Sequence, residues 1–131
     1  MSKAYTILVL EDEPLILMDL EFAAVDRGCT VKSAMTCEEA FVALSSEDTI
    51  DVAVLDVSLG AGCNCAPVAD ELVRRKIPYI LHSGDLDRHA ERVRELDAPL
   101  IAKPASADKV IAAAIVCSEG KDPQSAEIAA E

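Results

Sequence analysis

The chain has 131 residues, with 24 acidic against 12 basic side chains and a net charge of −12. That length fits one compact domain, and 51% apolar with 27% charged residues excludes a disordered chain. The acidic balance argues against nucleic acid or an anionic membrane as a direct partner, because phosphates attract Lys/Arg clusters and repel carboxylates. The longest apolar run, residues 110–117, is far short of the ~18–20 needed to span a bilayer. Five cysteines are an odd number, and one Lys before a short apolar segment is not the pattern of a secretion signal. Free thiols in a reducing cytoplasm are therefore expected. The Cys63-Asn64-Cys65 pair lacks the usual zinc spacing.

Strand and helix signals alternate along the chain. Residues 5–10 are a short apolar run with β-branched Ile7 and Val9, which reads as a buried strand. Pro14 suits the first turn of a helix over residues 14–27, where Leu15, Met18, Phe22 and Val25 share one side and Gly28 is the stop. Leu15, Ile16, Leu17, Met18, Leu20 and Phe22 together surround much of this helix, which points to extra burial such as a homodimer contact. A second strand is expected over 29–34. Thr36-x-x-Glu39 is a capping box opening a helix to residue 46. Residues 50–57 carry the strongest strand signal, nearly continuous in Val and Leu, as in a sheet covered on both faces.

A Gly-containing loop over 58–65 leads to a helix over 66–76 and a strand over 77–82. A charged helix over 86–97, a short strand over 100–102 and a helix capped by Ser106 complete the pattern. Residues 119–131 read as a polar tail. Five strands, each followed by a helix, imply a three-layer α/β domain, a (βα)5 arrangement with a parallel five-stranded sheet of flavodoxin-like order 2-1-3-4-5.

In such a sheet the site forms at the carboxyl ends of the strands. Glu11 and Asp12 leave the first strand and Asp56 ends the third, its neighbour. Two carboxylates ~4 Å apart repel by roughly 4 kcal/mol at an effective dielectric of ~20, so convergence calls for a proton or a divalent cation. All-oxygen donors with retained water describe Mg²⁺. Ser83 closes the fourth strand ahead of Gly84, and Lys103 follows the fifth ahead of Pro104. A hydroxyl, an ammonium and Mg²⁺ around one carboxylate suit three phosphoryl oxygens, with Asp56 as a nucleophile that forms an acyl phosphate.

These residues resemble the receiver domain of two-component response regulators. The shared pattern is an acidic pair after the first strand (Glu11-Asp12), an Asp after the third (Asp56), a Thr/Ser after the fourth (Ser83-Gly84) and a Lys-Pro after the fifth (Lys103-Pro104). The resemblance implies a receiver domain over residues 1–118 of the stand-alone type, with a tail over 119–131 and no effector domain. It implies Asp56 as acceptor of phosphate from a histidine kinase or phosphotransfer protein. Asp12, Asp56 and the backbone carbonyl of Ser58 would ligate Mg²⁺, with Glu11 acting through water. Ser83 and Lys103 would meet the phosphoryl group. The implied output is a change in the surface formed by the fourth strand, the helix after it, the fifth strand and the last helix, read by a downstream protein and not by DNA. Beyond its own phosphotransfer and dephosphorylation, no enzyme activity is expected.

Three positions depart from the family pattern. Leu100 stands where many receivers carry an aromatic residue, residues 57–65 lack the common Met-Pro pair, and Ala105 replaces a frequent Phe. His82, between Leu81 and Ser83, reads as a packed strand residue. Three alternatives share parts of the pattern. A phosphohydrolase of the haloacid-dehalogenase type needs a second Asp where Ser58 stands, and a flavin binder needs a hydroxyl- and Gly-rich loop where Glu11-Asp12-Glu13-Pro14 stands. A pseudo-receiver that works only as a binding module has no use for a complete site.

Overall fold

The computed structural model describes residues 5–46, 49–56, 65–83, 100–102 and 106–120. Within them run β1 (Thr6–Leu10), α1 (Pro14–Asp26), β2 (Thr30–Ala34), α2 (Cys37–Ser45), β3 (Val52–Asp56), α3 (Ala66–Arg74), β4 (Tyr79–Ser83), β5 (Leu100–Ala102) and α4 (Ala107–Ser118). The five strands form one parallel sheet in the order β2-β1-β3-β4-β5. The expected fold class and strand order are both found. The charged helix expected over 86–97, most of the loop expected over 58–65, and residues 121–131 lie outside the described residues.

Strand alternation divides the core in two. Leu8, Leu10, Ala53, Leu55, Tyr79 and Leu81 face α2 and α3, where they meet Ala40, Leu44, Val68, Ala69 and Leu72. Ile7, Val9, Val52, Val54, Ile80 and Ile101 face α1 and α4, where they meet Leu17, Leu20, Ala24, Val110, Ile111 and Ala114. Burial on both faces is why β1 and β3 read as unbroken apolar runs.

Several ends differ from the sequence expectation by a residue or two, for a specific reason. The N–H of Cys29 bonds to the carbonyl of Ala24 (2.9 Å) and that of Ile77 to Leu72 (2.9 Å), so each closes a helix C-terminus. Those residues cannot also open a strand, and β2 and β4 begin later. Gly28, with φ +82°, takes the left-handed position at the end of α1 that its placement predicted. Half of the capping box forms as expected, with Thr36 Oγ1 accepting from Glu39 N (3.1 Å), while Glu39 Oε1 reaches one residue further back and accepts from Met35 N (2.7 Å). Ser106 caps α4 by accepting from Lys109 N (3.1 Å).

At the end of α3 the left-handed position falls on Lys76, with φ +61°. A Cβ there crowds the following carbonyl, a strain that glycine lacks. Lys76→Gly is therefore expected to raise stability by about 0.5–1 kcal/mol, read as a higher urea midpoint at unchanged slope. Beside it, Glu71 accepts from Arg74 Nε (3.1 Å) and Arg75 Nε (2.6 Å), and Arg75 also donates to the Leu44 carbonyl (2.7 Å), tying α3 to α2. The two guanidinium groups hold the Glu71 carboxyl down at about 2.

The orientation of α1 is the main surprise. Leu15, Met18, Phe22 and Val25 do share a side, and it is the open one, with Leu15 73% and Phe22 66% exposed. The sheet takes Leu17, Leu20 and Ala24 instead. Among the described residues no helix is long and apolar enough to cross a membrane.

Candidate functional site

The carboxyl ends of β1 and β3 position the acids. β1 is buried through Leu10, and the chain leaves the sheet at Glu11, whose N–H still bonds to the Ala34 carbonyl of β2 (3.0 Å). Pro14 then starts α1, which forces Asp12 and Glu13 into a tight passage over the strand end. Within it Glu11 Oε2 accepts from the N–H of Glu13 (3.2 Å), which turns the Glu11 side chain back over the sheet. Asp56 is the last residue of β3, one step beyond the Leu10–Leu55 pair.

These three acids converge as expected. One carboxylate oxygen from each of Glu11, Asp12 and Asp56 lies within 4.8 Å of the others. Glu11 is 1% and Asp56 3% exposed, and Asp12 is half-buried. Negative charges this close repel by several kcal/mol in a partly desolvated setting. The donors are all hard oxygens, and the half-buried Asp12 marks the side open to water. A hard divalent cation that keeps part of its hydration fits this set, and a soft metal does not.

Cys65, at the N-cap of α3, is a neighbour that sequence reasoning did not connect to the site. Burial first, and then the negative charge of Asp56, pushes its thiol up to about 12. It is therefore a neutral packing residue and not a nucleophile. His82 is a second such neighbour. It lies on β4 in register with Asp56 and is 3% exposed. The signal was the pairing of β3 with β4 for His82 and the placement of the start of α3 for Cys65, neither of which any local stretch of sequence contains.

Ser83 ends β4 in register with Ala102 of β5, so the structure brings its backbone to the same edge of the sheet. Ser58 and Lys103 lie outside the described residues, as do Gly84, Pro104 and Ala105.

No family model matches the chain, and no curated protein matches it. Solved structures do. The chain is similar to SdrG from Sphingomonas melonis Fr1 at 35% identity and TM-score 0.72, over 91% of this chain and 99% of that one. It is similar to a response regulator receiver protein from Sinorhizobium medicae WSM419 at 24% identity and TM-score 0.75, over 89% and 96% of the two chains. The receiver domain of NtrX from Brucella abortus matches at 24% identity and TM-score 0.74, over 86% and 98%. The likeness extends over nearly the whole of each of these structures.

Proposed function

The chain has the fold of response-regulator receiver domains, and from that premise we propose that it works as one, with Asp56 accepting a phosphoryl group from a histidine kinase or a histidine phosphotransfer protein. One observation carries the reading: a buried carboxylate at the end of a central strand lies within 4.8 Å of two further carboxylates.

Mg²⁺ is the cation this donor chemistry favours. Asp12 and Asp56 would hold it with the backbone carbonyl of Ser58, and Glu11 would act through water. Bound there, Mg²⁺ supplies the positive charge that lets a phosphoryl group approach three acids. An oxygen of Asp56 forms the bond to phosphorus as the donor's nitrogen–phosphorus bond breaks, its electron pair staying on the imidazole. Burial of Asp56 limits the access of water to the resulting acyl phosphate. The Ser83 hydroxyl and Lys103 ammonium, in this reading, meet the phosphoryl oxygens and bias the neighbouring surface toward its signalling form. A downstream protein reads that surface. Chemical work is limited to the chain's own phosphorylation and dephosphorylation, in the cytoplasm.

Intact-mass spectrometry after incubation with acetyl phosphate tests this. The expected result is one added phosphoryl group per chain, absent without Mg²⁺ and absent in Asp56→Asn. A wild-type protein that never gains that mass is a pseudo-receiver, and one that releases phosphate from an ester in many turnovers is a phosphohydrolase.

A further inference from the structure

Among the described residues, seven large apolar side chains stand in water, and four of them lie on α1: Leu15 (73% exposed), Met18 (41%), Phe22 (66%) and Val25 (62%). Steps of three, four and three residues align these four in one seam along the helix, the spacing at which two helices interlock. The seam is about 15 Å long and leaves roughly 400 Å² of contiguous apolar surface, the size of patch that marks an interaction site on a soluble protein. Its two ends differ. Leu15, in the first turn, is the most exposed of the four. In the last turns Phe22, Ala23 and Val25, with Asp26 and with Asp108 of α4, line an open hollow of about 550 Å³.

The spacing of the seam reads the same from either end, and from this we propose that it joins two copies of the chain, antiparallel about a twofold axis level with Leu20. In that register Leu15 of one copy meets Val25 of the other, and Met18 meets Phe22. Each Leu15 then enters the hollow beside Val25, a knob and a hole that the twofold axis supplies twice. A parallel pairing would set Leu15 against Leu15 and leave both hollows unfilled. Two seams bury about 800 Å² of apolar surface and, with their rims, about 1,200 Å² in all, the low end of specific interfaces.

Charge limits the affinity. Asp19 and Asp26 are exposed beside the seam, and the axis brings Asp19 of the two copies together. Arg27 does not offset them, because Asp108 holds it (2.9 Å), while Glu21 turns aside to accept from Ser33 Oγ. Like charges in water repel weakly and are screened by salt, so the dimer tightens as ionic strength rises. A foreign helix flanked by Lys and Arg, the alternative occupant, would bind less tightly as salt rises. With a small interface and opposed charges the dissociation constant is on the order of 100 µM, so the chain is a monomer at the low-micromolar concentrations of unfolding experiments. None of this depends on the reading of Asp56.

Sedimentation equilibrium of the full chain from about 10 µM to about 1 mM, at about 50 and about 500 mM NaCl, is the test. The expected result is a mass that rises from one chain to two, at lower concentration in the higher salt. Leu15→Ser and Phe22→Ser, at exposed positions, are expected to fold as wild type does and to weaken the dimer by about tenfold or more. Asp19→Asn is expected to tighten it about threefold at the lower salt. Amide NMR shifts of the wild-type chain on dilution are expected to move along residues 14–26, which locates the interface without any variant. A chain that stays monomeric at about 1 mM in both salts overturns the proposal and leaves the seam to a cationic helix. It is also overturned by a dimer that Leu15→Ser and Phe22→Ser leave intact, by dilution shifts confined to another face, by a dimer that loosens as salt rises, or by an assembly of more than two chains.

Discussion

Leu20→Ala is expected to lower the unfolding free energy by about 2–5 kcal/mol, the loss of a fully buried Leu with partial collapse of the cavity. Phe22→Ser, two residues away on the same helix, should change it by less than about 0.5 kcal/mol, because Phe22 faces solvent and the two residues have similar helix propensity. Urea unfolding of the two variants beside wild type measures the contrast. Equal losses would mean that α1 docks through both stripes, and a larger loss for Phe22→Ser would mean that it docks through the other one. The prediction matters because total stability is on the order of 5–15 kcal/mol, so Leu20→Ala removes a large share of it.

The face of α1 was not legible in the sequence. Leu15, Ile16, Leu17, Met18, Leu20, Phe22, Ala23, Ala24 and Val25 leave almost no polar side to define a stripe. The choice among stripes is made by docking. The stripe of Leu17, Leu20 and Ala24 includes one small side chain, and Ala24 is completely buried in the core between α1, α4 and the sheet. Phe22 on the open side is too bulky for such a close approach. The strands were legible for the opposite reason. A sheet covered on both faces needs apolar side chains in both rows, and that demand shows directly as the runs in β1 and β3. Strand starts were less clear, since the amides of Cys29 and Ile77 serve helix ends before any strand can use them.

The acidic cluster gives the second large expected effect. In metal-free buffer at neutral pH, Asp56→Asn should be more stable than wild type by on the order of 1–3 kcal/mol, because it removes one of three mutually repelling charges while keeping the shape of the side chain. Magnesium at a hundredfold excess over its Kd should raise wild-type stability by about 2.7 kcal/mol and close most of that gap. Thermal unfolding with and without the ion reads both parts. An Asp56→Asn protein no more stable than wild type without metal would show that the carboxylates are not under mutual strain. In this reading the site gives up stability to keep a reactive group, and a bound ion would recover it.

Glu11, Asp12 and Asp56 could be picked out from sequence because each sits where an apolar strand stops, and the topology of a parallel sheet makes neighbouring strand ends meet. His82 and Cys65 could not. Each is an ordinary strand or helix-end residue until the β3–β4 pairing and the start of α3 put it beside Asp56.

Calorimetric titration of Mg²⁺ into the metal-free native protein tests the central claim most directly. The account predicts one ion bound per chain, with binding lost in Asp12→Ala and strongly weakened in Asp56→Asn. Absence of binding at millimolar Mg²⁺, or binding that neither substitution changes, would contradict it.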